Sequence, residues 1–236
     1  MVSRKLLTGL VIGAVLSVLI PGISKAADPV VRDTTRWPSA SYVGLRLGTW
    51  IDQGGKFSDP NVTAEFNNVS FFTELFYDHR LMPWLFLEVS MAIASRGDVV
   101  FTYAGSRYIG TLNLYPMMAQ IKLAPLGASR SFQPYLLGGG GVIIGKENTD
   151  IVQSFGPYID PYYLEESKTA LGYVVGAGVD IALSRQLGLT FAGKYHSIKF
   201  GSTLAGITDY SGTAVGVGLM YFIHNKKQHG EPWRRP

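Results

Sequence analysis

The stretch Lys194-Tyr195-His196-Ser197 brings together the residue types of nucleophilic catalysis: a hydroxyl, an imidazole that could take its proton, and a neighbouring ammonium. A serine and histidine so placed would suit acyl transfer, such as removal of a fatty acid from lipid A. The spacing argues against that chemistry. A nucleophile and its base must approach to about 2.6–3.2 Å, whereas adjacent residues of a strand project to opposite faces. His196 instead extends the row that begins at Lys194. His79, His224 and His229 fall in an expected turn and in the tail, without partners at metal-ligand spacing. Asp150, Asp160, Glu165 and Glu166 read as solvated loop surface. The run Gly138–Gly141 lacks the following helix and the Lys-Ser/Thr pair that a phosphate loop requires. With no cysteine in the chain, thiolate metal sites, disulfides and lipoprotein modification are excluded. No cofactor and no metal is implied.

A second set of polar residues is organised differently. Arg46, Glu74, Glu88, Lys122, Asp180 and Lys194 lie on the faces opposite the apolar rows of their segments, with Gln120, Ser90 and Thr190 between them. Three cations face three anions. Buried together they would be expected to pair, because isolated charges are costly to remove from water. Two functions suit such a set: a charge-balanced plug that closes a lumen, or a narrow path for ions or small solutes. The plug is the expectation, because eight strands enclose a space that side chains alone can fill.

The elements that must position these residues are strands of period two. In Tyr42–Ile51, Val43, Leu45, Leu47 and Ile51 share one face while Gly44, Arg46 and Gly48 share the other. Strands are predicted at 41–51, 67–79, 84–95, 109–123, 132–146, 169–183, 187–199 and 212–223. The apolar rows include Val69, Phe71, Leu75 and Tyr77 in the second strand, and Leu171, Tyr173, Val175 and Val179 in the sixth. None of the rows carries a charge, as a lipid-facing wall requires. The fourth strand slips: Leu112 and Leu114 share the face of Met117 and Ile121 only if a bulge intervenes near Tyr115-Pro116. Connections alternate between short (80–83, 124–131, 184–186) and long (52–66, 147–168), with short turns expected on the periplasmic side. The fold expected is all-β, an eight-stranded antiparallel up-and-down transmembrane β-barrel. Trp50, Tyr77, Trp84, Tyr195 and Tyr221, near strand ends, are the expected aromatic girdle, with Trp50 marking the outer side.

Composition bounds the class. Arg4-Lys5, the apolar run 6–20 and Ser24-Lys25-Ala26 form a signal peptide cleaved after Ala26. Residues 27–40 are a polar leader, 41–223 the barrel and 224–236 a basic periplasmic tail. Lys+Arg 21 against Asp+Glu 17 gives +4. Without Arg4, Lys5 and Lys25 the balance falls to 18 against 17, a net +1 that is no signature of nucleic-acid binding.

Three pieces carry a resemblance: Tyr42-Val-Gly-Leu-Arg-Leu-Gly, Gln133-Pro-Tyr-Leu-Leu-Gly-Gly-Gly-Gly and Gly172-Tyr-Val-Val-Gly-Ala-Gly-Val-Asp-Ile-Ala-Leu. With them the chain resembles the small eight-stranded outer-membrane β-barrels of the OmpA transmembrane domain, OmpX and opacity-protein type, over nearly all of its mature length. The resemblance implies a Gram-negative outer-membrane location, contact with membrane lipid and lipopolysaccharide, insertion by the barrel-assembly machinery, and a role in envelope integrity or surface interaction. It supplies no catalytic residue, so no enzymatic activity is expected. One departure is that 14 residues follow Tyr221-Phe222, where family members usually end on an aromatic. A monomer is expected. A soluble lipocalin-like carrier would turn the apolar rows inward and leave an outer wall mostly of glycine.

Overall fold

The computed structural model describes residues 38–53, 63–65, 69–103, 106–126, 131–153, 163–204 and 207–223. The segments read as signal peptide and basic tail, most of the leader, Asp160, His224 and His229 lie outside the described residues.

The described residues hold ten strands in chain order: β1 (Ser41–Asp52), β2 (Thr63–Glu65), β3 (Val69–Met82), β4 (Leu85–Tyr103), β5 (Ser106–Leu123), β6 (Phe132–Gln153), β7 (Tyr163–Ala182), β8 (Leu187–Leu204), β9 (Ile207–Asp209) and β10 (Gly212–Ile223). Eight of them form a ring in which each long strand runs antiparallel to its chain neighbours. β10 pairs with β8 on one side and with β1 on the other, from Ser41↔Ile223 to Asp52↔Gly212, which closes the ring. β2 and β9 are short additions that pair with the far ends of β4 and β8. Closure removes both sheet edges, so every backbone donor and acceptor in the apolar zone can be met within the protein, the condition for crossing a bilayer with strands.

The apolar rows face outward. Leu45, Leu47, Val69, Phe71, Val89, Met91, Leu171, Val175, Val217 and Leu219 are all exposed on the outer wall, and the alternate residues are buried. Inward residues along β1 read Tyr42, Gly44, Arg46, Gly48 and Trp50, so the lumen passes from aromatic to ionic to aromatic. Farther along β8, Ile198, Phe200 and Leu204 are buried, and so are Leu112, Leu114, Ile143, Ile207 and Tyr210. The end of the lumen away from the short turns is therefore lined mainly by apolar side chains, with Glu147, Ser70 and Ser211 buried among them.

Three expectations need correction. First, β4, β6, β7 and β8 run five or more residues past their predicted ends and β5 three, so that Asp150, Glu165 and Glu166 lie in strands and not in a loop. The alternation fades where the wall leaves the lipid, yet the ladder continues, because paired backbones need no apolar face to remain hydrogen-bonded. Second, β5 carries no bulge near Pro116. Its register with β6 is unbroken from Tyr108↔Ile151 to Leu123↔Leu136. Leu112 and Leu114 face inward and are buried, in a part of the lumen lined mainly by apolar side chains. The β4 ladder passes from Met91↔Met117 directly to Ala94↔Leu114, where the proline has no N–H to donate, and its irregularity lies between Ser95 and Asp98. Third, His79 lies in β3 and not in a turn, and its Nδ1 shares a hydrogen bond of 2.8 Å with Ser41 Oγ across the strand pair.

Val217→Arg tests the orientation of the wall. With this side chain in lipid near mid-strand, the substitution is expected to cost about 2–4 kcal/mol in reversible folding into lipid vesicles. A cost near zero would mean that the apolar rows do not face lipid.

Candidate functional site: an ionic network in the lumen

Period-two alternation on five strands aims one long charged side chain after another at the same axis. Arg46 from β1 reaches Glu74 on β3, its register partner, through Nη1–Oε2 at 2.8 Å. It also grips Glu88 on β4 with both terminal nitrogens, Nη1–Oε1 at 3.1 Å and Nη2–Oε2 at 3.0 Å. Lys194 from β8, on the facing wall, donates to Glu74 Oε1 at 2.7 Å and Glu88 Oε1 at 2.6 Å. These four residues form a balanced group of two cations and two carboxylates. Its bidentate arginine geometry is the strong form of charge-assisted hydrogen bonding. Arg46 Nε donates to Thr190, and Gln120 Nε2 links Glu88 to Ser90. The Arg46 guanidinium carbon sits 3.6 Å from the Phe76 ring centroid, so an aromatic face covers the side of the cation that carboxylates leave open.

A second group lies toward the end with the short turns. Lys122 from β5 donates to Asp180 Oδ2 on β7 at 2.5 Å, to Asp78 Oδ2 on β3 at 3.1 Å and to the Tyr42 hydroxyl at 2.9 Å. Tyr42 in turn donates to Asp180 Oδ2 at 3.1 Å. Lys122 Nζ lies 4.0 Å from the Tyr135 ring centroid, and Glu88 Oε2 at 3.8 Å from the same ammonium joins the two groups. None of Arg46, Glu74, Asp78, Glu88, Lys122, Asp180 and Lys194 is more than 1% exposed.

Thus the lumen residues expected from sequence, Arg46, Glu74, Glu88, Gln120, Lys122, Asp180, Lys194 and His196, are all buried on the inner face. All but His196 join the network. His196 stands above it, its ring centroid 5.0 Å from that of Trp50 and 6.4 Å from that of Phe72. It is 1% exposed while Ser197 belongs to the outer face, so the adjacent pair is split by the wall. Asp78 and Tyr42 were missed, although a signal existed: Asp78 shares the parity of Glu74 on β3, and Tyr42 that of Arg46 on β1.

Four of the five expected girdle aromatics lie on the outer face: Tyr77 and Trp84, both exposed, and Tyr195 and Tyr221, both half-buried. Trp50 does not. It is 0% exposed and shares the inward parity of Arg46, and its ring packs over Phe72 and His196. Large inward groups are accommodated by small ones. A side chain at Gly44 would meet the Phe76 ring at 2.6 Å, and one at Gly178 would meet the Tyr135 ring at 2.5 Å. Among the described residues, no set of three or more His, Cys, Asp or Glu side chains could hold a metal ion.

The family model described as outer membrane protein beta-barrel domain matches residues 15–222. No curated protein matches the chain. Among solved structures, the attachment invasion locus protein Ail of Yersinia pestis aligns at 18% identity, covering 77% of this chain and 96% of its own, with a TM-score of 0.49. OprG of Pseudomonas aeruginosa aligns at 16% identity over 81% of this chain and 100% of its own, with a TM-score of 0.49. Neisserial surface protein A aligns at 14% identity over 78% and 98%, with a TM-score of 0.47.

Lys194→Met leaves two buried carboxylates sharing one arginine and is expected to cost about 3–5 kcal/mol in stability. Adding Glu74→Gln should recover part of that loss, an interaction that a double-mutant cycle measures directly. Additive losses would mean the pair is not coupled. Trp50→Ala is expected to cost about 3–5 kcal/mol as a core truncation. Tyr77→Ala, on the lipid side, should cost less, and the reverse ranking in denaturant unfolding would place Trp50 on the outer wall.

Proposed function

The chain belongs to the outer membrane protein beta-barrel domain family, and from that premise we propose that it is a monomeric, non-enzymatic barrel serving envelope integrity or surface interaction, with a lumen closed to solutes. The family places it in the bacterial outer membrane, where its apolar outer wall meets lipid. The observation that carries the closed-lumen reading is the group of Arg46, Glu74, Glu88 and Lys194, which ties β1, β3 and β4 to β8 across the lumen. Its side chains are bonded to one another and shielded from solvent, which suits a structural plug better than a conducting path.

The surface-interaction half of the reading rests on the division of the wall. The short-turn end is compact, while the strands at the opposite end project past their apolar zone. Such projections are where rigid scaffolds keep binding residues. Within this reading, residues 1–26 are removed on export, 27–40 lead into the barrel and 224–236 trail into the periplasm. Insertion relies on the barrel-assembly machinery, and lipopolysaccharide meets the outer half of the wall. A ring without free edges needs no second copy to complete its sheet, which favours the monomer. A lipid hydrolase built on His196 and Ser197 has no geometric support, since the wall stands between them.

In planar bilayers the purified barrel is expected to show no steady conductance, with Arg46→Ala or Glu74→Ala opening one. Steady wild-type conductance abolished by those substitutions would overturn the plug in favour of a pore. Incubation with lipopolysaccharide should release no fatty acid. Release that His196→Ala abolishes would restore the hydrolase reading.

A further inference from the structure

The buried charges divide unequally. Around Arg46 and Lys194 two cations meet two carboxylates, but around Lys122 one ammonium meets two, Asp78 and Asp180. Both aspartates are 0% exposed, and both direct Oδ2 at the same Nζ. In each the other oxygen, Oδ1, is buried without a hydrogen-bond partner among the described residues. The Tyr135 hydroxyl, on the ring beside the same ammonium, is likewise buried and unpartnered. Buried carboxylate oxygens ordinarily find donors, and an uncompensated charge in a closed lumen is strongly disfavoured.

We propose that the Asp78–Lys122–Asp180 cluster is a binding site for one further unit of positive charge, taken up at the free Oδ1 atoms. Two sources share that chemistry, a proton held by the aspartate pair or a monovalent metal ion. The proton requires less space and removes one carboxylate charge without setting a second metal-sized cation beside an ammonium. The titratable and charged groups that act on the aspartates are Lys122 from β5, Glu88 from β4, Arg46 and Tyr42 from β1 and Tyr135 from β6, while Gln133 on β6 and Thr190 on β8, the register partners of Asp180, do not titrate. The inference rests on the burial of the cluster and is independent of what the outer end of the barrel binds. A conductance measurement on the same preparation separates failure of the closed lumen from failure of this site.

Infrared spectroscopy of the barrel in detergent micelles tests it. If the charge is a proton, the wild type shows the C=O stretch of a protonated carboxyl at neutral pH. That band shifts in heavy water and is lost in both Asp78→Asn and Asp180→Asn. If the charge is a metal ion, the band is absent, but the midpoint of thermal unfolding rises when choline chloride is replaced by sodium or potassium chloride at equal ionic strength. The rise should disappear in Asp78→Asn. The wild-type measurements decide the matter alone should either variant fail to fold. Absence of both the band and the dependence on cation identity in the wild type overturns the proposal.

Discussion

In a ring of eight strands, residues of one parity have nowhere to go but a space about as wide as their own side chains. Any charge placed at such a position must find its partner inside, because lipid covers the opposite face and water has little room to follow. That constraint organises the barrel. Arg46 serves two carboxylates on neighbouring strands, Lys194 reaches the same two from the opposite wall, and Lys122 holds two more near the short turns. The glycines on the inner face follow from the same requirement, since long charged and aromatic groups fit only where their neighbours are small. Gly178 opposite Tyr135 and Gly44 against Phe76 are the clearest cases.

Much of this could be read from residue types, because a period of two is robust to everything except a slip in register. Arg46, Glu74 and Lys194 were placed inside by parity alone, and parity would also have placed Asp78, whose omission made three anions out of four. Trp50 shows the opposite error. Its type and its position near a strand end suggested an interfacial anchor, but the parity of its own strand sends it inward to Phe72 and His196. Leu112 and Leu114 misled because an apolar residue was equated with a lipid-facing one. That end of the lumen is itself lined mainly by apolar side chains, so leucines of inward parity need no bulge.

Strand ends were least legible, and the reason is physical. Hydropathy marks the portion of a strand that lipid touches, whereas the hydrogen-bonded ladder continues as long as the two backbones stay adjacent. β6 and β7 remain paired as far as Asp150↔Tyr163, past the last strong apolar alternation. The individual pairings within the lumen also lie beyond sequence reasoning. Which of two lysines meets which carboxylate depends on the stagger of strands around the ring, a global property that local alternation does not encode.

The seam between β1 and β10 has a bearing on how the barrel comes into being. It joins the first and last long strands through twelve register pairs, and the side-chain contacts that reach past it, Lys194 to Glu88 and to Glu74 and Arg46 Nε to Thr190, span chain separations of 106, 120 and 144 residues. None of those contacts can exist before β8 is present, because β8 supplies both Lys194 and Thr190. The β1–β10 seam and the Lys194 contacts therefore both need the strands nearest the C-terminal side of the barrel, and both are pairings of high sequence separation, the kind that cost most chain entropy to form.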